Sequence, residues 1–161
     1  MTRGHAGLTL VELLVGMAVL AVLLVIAVPS FQTLRQQYLV RSAGMVVYSD
    51  LQLARSESIK RNRAVTVCFT GLGSTNWSYQ LRDSADCTGT VLESVNGQGF
   101  PAITLTASYG GGLLTFRPRR NTLTAGNVTL SHGSHGIKVM TWNNSIIRTC
   151  SDDSLIGVPR C

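Results

Sequence analysis

The chain has 161 residues, of which 45% are apolar and only 14% charged, with a formal net charge of +6. That length fits one domain plus an appended helix. So few ions leave the surface to Ser, Thr, Asn and Gly, as in an exported β-rich domain, while the basic balance permits nucleic acid, anionic lipid or acidic partners without choosing among them.

Residues 1–7 form a short leader that carries Arg3 and ends in Gly7. Leu8 to Val28 follow as 21 residues with one charge, Glu12. As a helix this run spans about 30 Å, the thickness of a bilayer's hydrocarbon core. Arg3 on the leader keeps that end cytoplasmic and sends the remainder outward. An ordinary signal peptide has small residues after its apolar run. Here Pro29-Ser30-Phe31-Gln32 follow it, and the small Gly7 precedes it. That order predicts a cut on the cytoplasmic side, with the apolar helix retained. A carboxylate inside such a segment costs about 2.5–3.5 kcal/mol at mid-helix, so Glu12 is functional by default.

From Phe31 to Asn62 the helical pattern continues but becomes amphipathic. Phe31, Leu34 and Tyr38 share one stripe, as do Ala43, Val47, Leu51 and Ala54. Such stripes need cover, so the following domain is expected to wrap this half. Pro29 lacks a backbone donor and predicts a kink; Gly16 and Gly44 read as further soft points. The expected segments are therefore the leader at 1–7, a membrane-spanning or filament-core helix at 8–29, its amphipathic half at 30–63, and a β domain at 64–161.

The period then changes to two. Predicted strands are Ala64–Phe69, Trp77–Arg82, Val91–Val95, Ala102–Thr106, Leu113–Arg117, Thr122–Leu130, Ile137–Trp142 and Ser145–Cys150, rich in Val, Thr, Ile and aromatics. Asn143-Asn144 reads as a two-residue hairpin turn. Gly71-Leu72-Gly73-Ser74 and Gly110-Gly111-Gly112 read as flexible loops. The fold class is α+β: a long N-terminal helix packed on an antiparallel β-sandwich. Trp77 and Trp142 are expected in its core.

The cysteines are Cys68, Cys87, Cys150 and Cys161. Three pairings exist. Cys68–Cys87 and Cys150–Cys161 are favoured because each closes a short local loop, stabilising by roughly 2–4 kcal/mol. The second would pin a C-terminal loop at an outer edge, where it can touch a neighbour or ligand.

Chemistry is hard to find. The Ser131-His132-Gly133-Ser134-His135 stretch has no supporting acid and reads as a turn between strands. No phosphate loop or metal motif is present, so no cofactor and no catalytic residue are expected. Basic residues gather at Lys60, Arg61 and Arg63, at Arg117, Arg119 and Arg120, and at Lys138 and Arg148. Phosphate binding would require several of them to converge on one face.

Gly7-Leu8-Thr9-Leu10-Val11-Glu12-Leu13, followed by apolar residues up to Pro29, resembles the signal of type IV prepilins and type II secretion pseudopilins. Leu8 stands where that family has Phe. The resemblance implies cleavage between Gly7 and Leu8 by a prepilin peptidase, methylation of the new amine, and assembly with other pilin subunits from the bacterial inner membrane into a filament. Glu12 would then pair with the Leu8 amine of a neighbouring subunit and set axial register. The helix end Leu51-Gln52-Leu53-Ala54-Arg55-Ser56-Glu57-Ser58-Ile59-Lys60-Arg61-Asn62, running into Val65-Thr66-Val67-Cys68, is similar to the GspH/FimT branch of minor pilins and pseudopilins. Some members of that branch bind DNA through a Gly-Arg-x-Arg motif. Here the corresponding stretch, Asn144 to Arg148, keeps only Arg148, and Asp152 and Asp153 follow it. The DNA-binding candidates are Arg117, Arg119, Arg120, Lys138 and Arg148, the first three forming the leading patch.

Overall fold

The computed structural model describes residues 9–118, 123–143 and 146–161. The chain divides into two compact units, residues 1–35 and 36–161. One helix, α1 (Leu10–Arg61), contributes to both. Its 52 residues would measure about 78 Å at 1.5 Å per residue. The helix starts because the Thr9 hydroxyl accepts the Glu12 N–H at 3.2 Å, which satisfies one of the unpaired donors of the first turn. It stops because Asn62 turns left-handed, with φ +53°. The Asn62 N–H then bonds the Ile59 carbonyl and the Arg63 N–H reaches back to Ser58, both at 3.2 Å. This pair of bonds closes the helix end in a Schellman motif, with Asn in the position glycine usually takes.

Eight strands follow: β1 (Val65–Thr70), β2 (Ser78–Arg82), β3 (Val91–Asn96), β4 (Thr104–Ala107), β5 (Leu113–Phe116), β6 (Gly126–His132), β7 (His135–Thr141) and β8 (Ile147–Cys150). They form two four-stranded sheets, ordered β3-β2-β1-β5 and β4-β6-β7-β8. Every described strand pairing is antiparallel. The helix and both sheets share one core, to which Val40, Ala43, Val47, Leu51 and Ala54 contribute from α1. Their spacing of three or four residues places them on one side of the helix.

Strands β2, β6 and β7 alternate as a half-buried sheet should. Val128 and Leu130 of β6, and Ile137, Val139 and Thr141 of β7, point inward. Strand β1 is the exception, with five consecutive buried residues. Val65, Val67 and Phe69 enter the core. Thr66 and Cys68 face the other way, beneath the loop that joins β2 to β3. The Thr66 hydroxyl donates to the Ser84 carbonyl at 2.8 Å, and Cys68 is joined to Cys87.

Trp77 is 1% exposed, and its indole N–H donates to the Ile103 carbonyl at 2.9 Å. Trp142 departs from expectation at 38% exposed. It follows β7 rather than belonging to it, and its backbone N–H bonds the Ile146 carbonyl across the β7–β8 turn. Asn143 lies in that turn; Asn144 falls outside the described residues.

Gly44 is not a soft point. A Cβ there would lie 2.5 Å from the Ile137 side chain, so the missing side chain is what lets the helix approach β7. In the glycine loops, close approach requires glycine at two positions. A Cβ on Gly112 would meet the Phe69 carbonyl at 2.8 Å, and one on Gly71 the Asn76 carbonyl at 2.5 Å; both glycines have positive φ, which a side chain would strain.

The C-terminal segment folds over β7 and β8. Cys150 is joined to Cys161, and Ser151 pairs with Arg160 in a short parallel bridge. Leu155 is buried. The Asp153 carboxylate accepts the Gly136 N–H at 3.1 Å. Gly157 lies against the Arg41 guanidinium of α1, so closely that a Cβ would come within 2.9 Å of it. The loop thus touches the helix beside Val40 instead of standing away from the domain.

Candidate functional site

The most distinctive chemical feature is the first part of α1. All of its large apolar residues from Leu10 to Val28 are exposed, between 50% and 76%. An 18-residue window within the helix is apolar enough to cross a membrane and is not buried at all within the fold. A continuous apolar surface of this length has no favourable place in water and calls for lipid or other helices. Glu12 is its single charge. It occupies the third helical position, three residues after the Thr9 cap. The Thr-x-x-Glu spacing is that of a capping box, and a carboxylate in the first turn also complements the positive end of the helix dipole. This local role was present in the sequence as Thr9-Leu10-Val11-Glu12, a signal hidden by the apolar run around it. Gly7 and Leu8, the expected cleavage and methylation residues, lie outside the described residues.

The two predicted stripes of the amphipathic half fare differently. Ala43, Val47, Leu51 and Ala54 are buried, whereas Phe31, Leu34 and Tyr38 are 68%, 52% and 71% exposed.

Several of the described basic residues have acidic partners. Lys60 and Arg61 both bond the Glu57 carboxylate, at 3.3 and 2.6 Å. Arg61 and Arg63 also approach Asp83, each at 3.5 Å. Hydrogen bonds from Arg61 and then Lys60 hold Glu57 below the usual carboxylate range. This group fastens the helix end to the loop after β2. Lys138 is paired with Asp152. Arg148 is exposed on β8, in the second sheet, and Arg117 follows β5 in the first. Arg119 and Arg120 lie outside the described residues. Ser131, His132 and His135 occupy the β6–β7 hairpin, with His132 opposite His135 across a Gly133-Ser134 turn.

A model of the family described as type II transport protein GspH matches residues 43–145. The chain belongs to the GspH family. A second model, the prokaryotic N-terminal methylation motif, matches residues 2–28. The GspH-family match takes in the helix end and most of the β domain, while the methylation motif takes in Gly7, Leu8 and Glu12. The fold is that of the type IV minor pilin FimU of Pseudomonas aeruginosa, seen in two crystal forms. Each superposes with a TM-score of 0.53 at 20% identity over 68% of this chain, covering 90% and 86% of the respective FimU chains. No curated protein sequence matches the chain. This GspH-family protein therefore combines a methylation-type N-terminus with a pilin-like domain, and assembly with other pilin or pseudopilin subunits is what its family implies.

Proposed function

We propose that this protein is a minor pilin, made as an inner-membrane precursor, cut between Gly7 and Leu8, methylated at Leu8 and built into a pilus filament. The single observation that carries this reading is the exposed apolar helix whose one charge, Glu12, sits in its first turn under the N-terminal methylation motif. In the membrane the apolar run anchors the subunit, with the β domain on the periplasmic side. In the filament it joins a bundle of like helices. Glu12 then faces the positively charged terminus of a neighbouring subunit, and burial of both groups together offsets the desolvation of each. Pro29, without a donor for an intrahelical bond, supplies a place where α1 can bend on leaving the membrane. The role is structural.

Mass spectrometry of the processed chain tests the first step: a methylated N-terminal Leu8 is expected, and a retained leader overturns the reading. Replacing Glu12 with Ala tests the second. Membrane-inserted subunit should persist while incorporation into sheared filaments is lost.

A second reading is a type II secretion pseudopilin, favoured by the name of the matched family. Co-purification distinguishes the two, according to whether the chain travels with pilus or with secretion subunits.

A further inference from the structure

The outer face of the first sheet holds a groove of about 430 Å³, lined by Cys68, Thr70, Ser78, Gln80, Arg82 and Cys87 on one part, closed by Gly111 and Leu113 on the other, and touched by Phe69, whose ring is buried in the core. Its floor follows from the strand register. Cys68 lies opposite Gln80 and Leu113, and Thr70 lies opposite Ser78. One wall is the Cys68–Cys87 bridge that ties down the β2–β3 loop.

Arg82 distinguishes this groove. Lys60, Arg61, Arg63 and Lys138 each have a carboxylate partner. Arg82 is half-buried, and among the described residues its bonds go to neutral oxygens: to Gln80 Oε1 at 3.1 and 2.6 Å, and to the Gly89 carbonyl at 2.9 Å. A guanidinium has five N–H groups, so two remain. Because Arg82 holds the Gln80 oxygen, the Gln80 amide is fixed with its NH₂ group turned away from Arg82, and neither NH₂ donor has a partner among the described residues. The nearby loop carboxylate, Asp86, is engaged by the Thr88 N–H and hydroxyl at 3.1 and 2.6 Å. Partly desolvated cationic donors with no anionic partner among the described residues match a planar carboxylate, which accepts parallel bonds. At the opposite lip, Leu113 is 41% exposed and offers an apolar contact.

We propose that this groove binds an extended peptide segment of a partner protein through an Asp or Glu carboxylate, held by Gln80 and Arg82, with an adjacent apolar side chain on Leu113. Charge complementarity selects the acid, and the apolar lip selects a peptide over an acidic saccharide, for which the groove presents no exposed aromatic platform.

The test uses the full chain in detergent micelles, labelled with ¹⁵N, and the probe acetyl-Gly-Leu-Asp-Gly-amide. The Gln80 side-chain amide and Arg82 Nε signals should shift on titration, and the peptide with Asn in place of Asp should bind about tenfold more weakly. Gln80→Glu gives Arg82 an internal carboxylate; that variant should stay folded and lose the binding. Arg82→Gln should lose it as well. Equal binding of the acidic and neutral peptides, unchanged binding by Gln80→Glu, or shifts produced by trigalacturonate but not by the peptide would each overturn the proposal.

Discussion

The Tyr79 hydroxyl donates to the Asp50 carboxylate at 2.6 Å, joining β2 to the C-terminal part of α1 at the margin of the core. Burial raises the Asp50 pKa, an effect that the bond from Tyr79 partly opposes and Glu93 reinforces; burial likewise raises the Tyr79 phenol. Tyr79→Phe keeps the ring in its stack with Trp77 but leaves a half-buried carboxylate unpaired. The expected loss is about 1–3 kcal/mol, measured by denaturant unfolding.

The same shift fixes a pH dependence. A carboxyl whose pKa is higher in the fold than in the unfolded chain gives stability that is full below its unfolded value. That stability is lost as pH rises through the folded value. Asp50 therefore works against the fold as it ionises in the mildly acidic range, and Asp50→Asn should flatten the stability profile there. Glu57 has the opposite sign. Its pKa is lowered by Arg61 and Lys60, so its contribution is present above the unfolded value and disappears on acidification. Glu57→Gln should weaken the neutral-pH fold and flatten the acid limb, so that variant and parent converge at low pH. Thermal melts across a pH series separate the two.

Gly44→Ala should destabilise the domain by about 1–3 kcal/mol through overpacking, because the new methyl would meet Ile137. Adding Ile137→Val should recover part of the loss. Additive melting shifts in the double variant would contradict the contact.

Replacing Cys68 and Cys87 by Ser should cost about 2–4 kcal/mol and free the loop between β2 and β3. Hydrogen exchange should then rise at Ser84 to Gly89, and the Thr66 hydroxyl bond to the Ser84 carbonyl should become labile. Protection unchanged in this segment would show that hydrogen bonding alone holds the loop.

Thr9→Ala should fray the first turn of α1, at a cost of about 1 kcal/mol. The check is amide exchange at Leu10 to Glu12 in micelles. Glu12→Gln in the same assay should have a smaller effect on the turn.

The helix and all eight strands were visible as periodicity, because each element carries its own local pattern. The sheet order was not. β4 joins the second sheet while β5 returns to pair with β1, a choice made by side chains distant in sequence. Gly44 looked like a weakness because only Ile137, 93 residues away in the chain, gives it a purpose. The acidic partners of Arg61, Arg63 and Lys138 were not legible either, because Asp83 and Asp152 come from other parts of the fold. Arg82 drew no notice for the converse reason. A single arginine in a strand is unremarkable until its neighbours prove to be neutral.

The buried side of α1, from Val40 to Ser58, runs for about 27 Å along its axis, and the disulfide-closed tail meets it at Arg41. A pull applied along the helix loads these contacts together, in shear, rather than peeling them one after another. The grip that keeps the domain on its helix is thus of the kind that resists traction.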